Sequence, residues 1–108
     1  AEIQKKVQMN IDKWVQMLNN RDYSSAYNLL DETFRNNTFG SQEKFEKYMK
    51  ENYSLQYSIT YNEYKEENDI SIMSITLKDI LGKNETTRDL KIIMQLNNNY
   101  DFVMSFEI

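Results

Sequence analysis

The chain has no cysteine, no histidine and no proline, and only two glycines among 108 residues. Without cysteine there are no disulfides, no thiolate metal sites and no sulfur nucleophile, while either redox compartment stays open. Without histidine the usual general base, the commonest metal ligand and every serine–histidine pair are gone, so hydrolytic and zinc chemistry are not expected. No glycine-rich phosphate-cradling loop is present, and no basic run is longer than Lys5-Lys6. A net charge of -4 and an isoelectric point near 4.8 disfavour nucleic acid and anionic lipid as partners. No apolar run approaches the roughly 20 residues that span a bilayer, and no basic start precedes an apolar signal core. Neither a metal nor a cofactor is expected.

What is present is one domain's worth of pattern over residues 1–108. The chain opens at Ala1 without a methionine and ends at Ile108 inside an alternating apolar run. It is therefore read as a processed or trimmed piece of something longer, and any membrane contact would run through a segment outside this sequence. Asparagine is abundant, with 13 residues, yet forms no repeat.

The organising stretch is Trp14 to Asp31, WVQMLNNRDYSSAYNLLD. Ile3, Val7, Ile11, Trp14 and Leu18 recur at three and four, the stripe of an amphipathic helix. Asn19, Asn20 and Arg21 end it, since asparagine is the usual alternative to glycine for a left-handed closing residue. Asp22 then offers a carboxylate to the free N–H groups of a second helix. Tyr23, Ala26, Tyr27, Leu30 and Phe34 form that helix's inward stripe. Asn36 to Gly40 break the chain, and Ser41 caps a third helix carrying Phe45, Tyr48 and Met49.

From Tyr53 the period changes to two. Tyr53, Leu55, Tyr57, Ile59 and Tyr61 alternate with polar residues, and a charged link follows at Lys65 to Asp69. In Ile70, Ile72, Met73, Ile75 and Leu77 the apolar register slips by one, which a β-bulge between Ile72 and Met73 would absorb. A turn at Gly82 to Glu85 would set Lys78 opposite Asp89 and Asp79 opposite Arg88. A three-residue loop, Asn97 to Asn99, would set Leu96 opposite Tyr100, Met94 opposite Phe102, Ile92 opposite Met104 and Leu90 opposite Phe106. That register places Ile93 opposite Val103 on the otherwise polar outer face. The expected fold is α+β: three N-terminal helices on a curved four-stranded antiparallel sheet.

Trp14, Asn20-Arg21-Asp22-Tyr23, Ala26-Tyr27 and Leu29-Leu30-Asp31 resemble the helix–corner–helix signature of the nuclear transport factor 2-like (cystatin-like α+β cone) superfamily. DYSSAYNLLDETFRNNTF, EKFEKYMKENY and DFVMSFEI resemble small members in low-GC Gram-positive bacteria that are often secreted or lipid-anchored. The resemblance implies a cone with a cavity at its open end, in an extracytoplasmic setting. The superfamily includes ketosteroid isomerase-like enzymes, small-ligand binders, N-terminal domains of some transpeptidases and accessory domains without chemistry, so fold does not choose among them.

Three functions stay open on the residues. An interaction domain would bind a protein partner, or a second copy, through Ile93 and Val103 on the outer face. A small-ligand domain would use a cavity lined by Tyr23, Tyr27, Tyr53, Tyr57 and Tyr61 with Met94 and Met104, whose hydroxyls would orient an amphipathic molecule. An isomerase-like enzyme needs a carboxylate facing the cavity, yet Asp89, Asp101 and Glu107 fall on the outward parity. Asp22 and Asp31 are read as caps, and Glu66-Glu67-Asp69 as a solvated tip without calcium-loop spacing. No catalytic residue is assigned. A non-catalytic interaction domain is the leading reading.

Overall fold

A computed structural model describes residues 2–53, 56–81 and 86–107. Among them, four helices precede a four-stranded antiparallel sheet: α1 (Glu2–Asn19), α2 (Tyr23–Asn28), α3 (Glu32–Thr38) and α4 (Gln42–Asn52), then β1 (Tyr57–Glu67), β2 (Ile70–Asp79), β3 (Thr87–Leu96) and β4 (Phe102–Phe106). Strand order follows the chain, β1-β2-β3-β4. The architecture is α+β with a helical layer on one sheet face, in keeping with a cone. Val7, Ile11, Trp14, Ala26, Phe45 and Met49 from the helices, with Leu30 between α2 and α3, share one core with Met73, Ile75, Leu77, Leu90, Ile92, Met94, Met104 and Phe106 from the sheet.

The corner after α1 closes as a Schellman motif: the Arg21 N–H donates to the Leu18 carbonyl at 3.0 Å and that of Asp22 to Met17 at 2.8 Å. The left-handed residue is Arg21, with φ 58°, and not one of the asparagines expected there. Asn19 is otherwise engaged. Its side-chain amide accepts from the Tyr57 N–H at 2.9 Å and donates to the Tyr57 carbonyl at 3.0 Å, standing in for a neighbouring strand at the start of β1.

The second expected helix is two short ones. At Leu29 to Asp31 the backbone leaves the helix and joins β4, with the Asp31 N–H donating to the Met104 carbonyl at 2.8 Å and that of Met104 to Leu29 at 3.0 Å. This parallel bridge at Leu30 and Met104 covers an otherwise open strand edge. Three helices thus become four. Asp31 restarts the chain as the N-cap of α3, its carboxylate accepting from the Phe34 N–H at 3.0 Å. Replacing Asp31 with alanine should cost about 1 kcal/mol of unfolding free energy in urea titrations. An unchanged midpoint would show that the bridge at Leu30 alone sets the break.

The bulge lies in β1, not β2. Register shifts between Tyr61 and Glu63, leaving Asn62 extra. Tyr57, Ile59 and Tyr61 face inward before it and Tyr64 after it, while β2 alternates without interruption. Ser71, Met73, Ile75 and Leu77 are therefore the buried set, and Ile70 and Ile72 turn outward. Strand β1 also starts at Tyr57, because Tyr53 is the C-cap of α4. The expected link at Lys65 to Asp69 shrinks to a two-residue turn, Asn68 and Asp69, both left-handed at φ 48° and 67°.

Two hairpin registers differ from expectation by two residues, which preserves every facing. Between β2 and β3, Thr76 stands opposite Asp89, Leu77 opposite Arg88 and Lys78 opposite Thr87. The turn expected at Gly82 to Glu85 lies outside the described residues. Between β3 and β4, Leu96 faces Phe102, Met94 faces Met104 and Ile92 faces Phe106. The loop holds five residues because the Asn97 Oδ1 accepts from the Asn99 N–H at 2.8 Å and from that of Asp101 at 3.0 Å.

Candidate functional site

The altered registers redraw the outer sheet face. Val103 stands opposite Gln95, and Ile93 stands opposite Ser105, so Ile93 and Val103 are diagonal neighbours instead of a direct pair. The bulge in β1 supplies what the sequence reading placed inside: Ile72 lies directly opposite Ile93 and next to Lys65, with Ile70 two residues along. Ile70, Ile72, Ile93 and Val103 thus form one half-exposed branched patch. None of the four belongs to the buried core. Around it lie Lys65, Glu67, Gln95 and Ser105, a polar rim about an apolar centre.

The tyrosines go elsewhere. Tyr27 and Tyr53 are buried, and Tyr23, Tyr57 and Tyr61 are half-buried against the core. Arg35 sits over the Tyr27 ring at 5.3 Å, Lys50 over Tyr23 at 5.8 Å and Arg88 over Tyr53 at 4.2 Å. The Tyr61 hydroxyl bonds to the Gln8 carbonyl, at 3.0 Å, and to the Asp12 carboxylate, which ties β1 to α1. Burial first, then the Asp12 hydrogen bond and charge, drive its pKa well above the ordinary phenol range. Tyr53 carries a buried hydroxyl without a hydrogen-bond partner among the described residues, because Arg88 stacks on its ring face and gives its N–H to the Asn52 carbonyl at 2.8 Å.

An open cavity lies at the opposite end from Tyr53, where the two hairpin tips part beyond the Ser71–Met94 pair. It measures about 830 Å³ and is walled by Ile3 and Lys6 of α1, the β1–β2 tip from Glu66 to Ser71, and Met94 to Phe102 of the β3–β4 hairpin. Met94 alone of the seven expected cavity residues reaches it. Met104, 1% exposed, is core. Sequence reasoning missed this groove, although its acidic tip, Glu66-Glu67-Asp69, was visible as a run.

The carboxylates weighed for catalysis are helix caps or exposed. Asp22 and Asp31 cap α2 and α3. Hydrogen bonding from Ser25 holds the Asp22 carboxyl below its ordinary value. Asp89, Asp101 and Glu107 are exposed. Among the described residues no group of three acidic side chains is placed to hold a metal ion, and no helix is long and apolar enough to cross a membrane. No protein-family model matches the chain, and no curated protein sequence matches it.

Proposed function

We propose that this chain is a non-catalytic interaction domain that makes protein contact through the outer face of its sheet. The observation that carries the reading is the contiguous patch of Ile70, Ile72, Ile93 and Val103 on a face that the helices leave uncovered. Isolated exposed aliphatics are ordinary, whereas four adjoining branched side chains with a charged rim have the layout of a contact surface. The capping roles of Asp22 and Asp31 and the missing histidine support a role without chemistry. Membership of the nuclear transport factor 2-like superfamily belongs to the same proposal and rests on the helix–corner–helix signature, and display outside a Gram-positive membrane rests on the resemblance of DYSSAYNLLDETFRNNTF, EKFEKYMKENY and DFVMSFEI to small Gram-positive members.

Because a single face can pair with itself about a two-fold axis, self-association is the form most directly tested. Sedimentation at concentrations up to about 100 µM should show reversible association of the natural chain. The double variant Ile93→Thr, Val103→Thr keeps β-branched residues in both strands and should weaken that association at least tenfold with an unchanged circular dichroism spectrum. Equal association of both proteins would remove the outer face from the proposal.

A further inference from the structure

We infer that the groove at the parted hairpin tips is a second contact site, shaped for a cationic amphipathic peptide segment of a partner protein. Its apolar wall is unusually open. Ile3 is 51% exposed, Leu96 50% and Tyr100 83%, so three of the six large exposed hydrophobics among the described residues line this one space. Met94 and Phe102 continue the wall toward the core.

The facing wall is acidic. Glu66, Glu67 and Asp69 stand on the β1–β2 tip, and among the described residues no lysine or arginine side-chain nitrogen lies within 4 Å of their carboxylate oxygens. Lys65 turns instead to Glu63, at 3.5 Å, and Lys6, the groove's one cation, lies 3.9 Å from Glu2. Three unneutralised carboxylates beside apolar surface favour a positively charged occupant and repel an anionic one.

The charge comes from the β1–β2 tip and most of the exposed apolar surface from α1 and the β3–β4 hairpin, with a cleft between them. A ligand meeting both must carry cations along one edge and apolar side chains along the other. That is the pattern of an amphipathic peptide, which docks by anchoring apolar side chains in a groove. A volume of about 830 Å³ accommodates several residues of such a segment. The tip is firmly held, since the Tyr64 hydroxyl donates to Glu66 Oε1 at 2.7 Å and shares a hydrogen bond with the buried Ser71 hydroxyl at 3.0 Å. Tyr100 presents its exposed ring from a left-handed residue, φ 62°, on a loop that Asn97 pins.

The groove and the outer patch adjoin, sharing Glu67, Ile70 and Gln95, and are told apart by Ile93 and Val103, which line the patch but not the groove. Fluorescence anisotropy would follow a short fluorescein-labelled peptide of alternating lysine and leucine, with lysine–serine and glutamate–leucine peptides as comparisons, at about 20 mM salt where surface charge is little screened. The lysine–leucine peptide should bind saturably, and both comparisons at least tenfold more weakly. Backbone amide NMR shifts should fall at residues 3–6, 66–71 and 94–102. Glu66→Gln, Glu67→Gln, Asp69→Asn together should weaken binding at least tenfold, as should Leu96→Ser with Tyr100→Asn, where asparagine tolerates the left-handed backbone. The α4 triple variant Glu43→Gln, Glu46→Gln, Glu51→Gln, away from the groove, removes equal charge and should bind as the natural chain does, as should Ile93→Thr, Val103→Thr. Equal weakening by the tip and α4 triple variants, or undiminished binding of the lysine–serine peptide, would overturn the site and show diffuse attraction to an acidic protein. Loss of binding on substituting Ile93 and Val103 would overturn its independence and assign the peptide to the outer face.

Discussion

Replacing Trp14 with alanine is expected to cost about 3–5 kcal/mol of folding stability, the largest effect of any single substitution argued for this chain. The indole is fully buried and meets Phe106 of β4 at 5.5 Å between ring centres, so it joins the first helix to the last strand. It also has a polar task. Helix α2 is six residues long, too short to persist by itself, and leaves its terminal carbonyls to be satisfied from outside. The Ser25 and Tyr27 carbonyls accept from the N–H groups of Leu29 and Leu30, and the Ala26 carbonyl accepts from the Trp14 indole N–H at 3.1 Å. Trp14→Phe keeps most of the apolar burial but strands that carbonyl, an expected loss of about 1–3 kcal/mol. Urea titrations followed by circular dichroism separate the two: graded losses support a joint role, and a loss below about 1 kcal/mol for alanine would show that the corner folds without the indole.

That double task explains why so much of the fold was legible. Period, caps and parity are local properties, so α1, α4, the Ser41 cap and the inward facing of Leu90, Ile92, Met94, Met104 and Phe106 follow from sequence alone. What was not legible depends on partners distant in the chain. The stripe Tyr23, Ala26, Tyr27, Leu30 and Phe34 reads as one helix until β4 takes the backbone of Leu29 to Asp31. The one local sign was Asp31 followed by Glu32, a second cap and first-turn acid that mirror a helix start. Strand register behaves the same way. Alternation fixes which face a residue takes but is blind to a shift of two, and here the Asn97 side chain decides by lengthening its loop.

The candidate surfaces were legible in pieces. Ile93 and Val103 share the outer face, but the patch they belong to is hidden in the sequence, where the slip between Ile72 and Met73 has the form of a bulge in β2. A bulge at Asn62 in the neighbouring strand leaves β2 regular and turns Ile70 and Ile72 outward. The groove needed still more, since Leu96 and Tyr100 read as inward residues facing one another. Only the five-residue loop separates them and leaves both exposed. Tyrosine abundance pointed to a cavity because hydroxyls at half-buried positions suit ligands, yet the same residues suit strands and helix seams.

Above pH 10 the domain is expected to lose stability steeply, by about 2–3 kcal/mol through Tyr53 alone. Its ring packs edge-on against Tyr48 and Tyr57 and beneath Arg88, and its hydroxyl finds no hydrogen-bond partner among the described residues. Burial pushes its pKa up to about 12, against the opposing pull of the Arg88 charge. In the unfolded chain the same phenol ionises near pH 10. The contribution is therefore whole below pH 10 and is lost as pH rises to about 12, because the unfolded state sheds a proton that the folded state retains. The slope is about 1.4 kcal/mol per pH unit. Tyr53→Phe keeps the ring beneath Arg88 and removes the proton, so its stability should fall less steeply between pH 10 and 12. At neutral pH the variant should be more stable by about 1–3 kcal/mol, because a buried hydroxyl without a partner is replaced by hydrogen. Urea midpoints for both proteins across pH 7 to 12 decide the matter, with the other titrating groups cancelling in the difference. Parallel curves and no gain at neutral pH would mean that the Tyr53 hydroxyl is solvated in the folded protein, and that the aromatic seam from Tyr48 to Tyr57 is open to water.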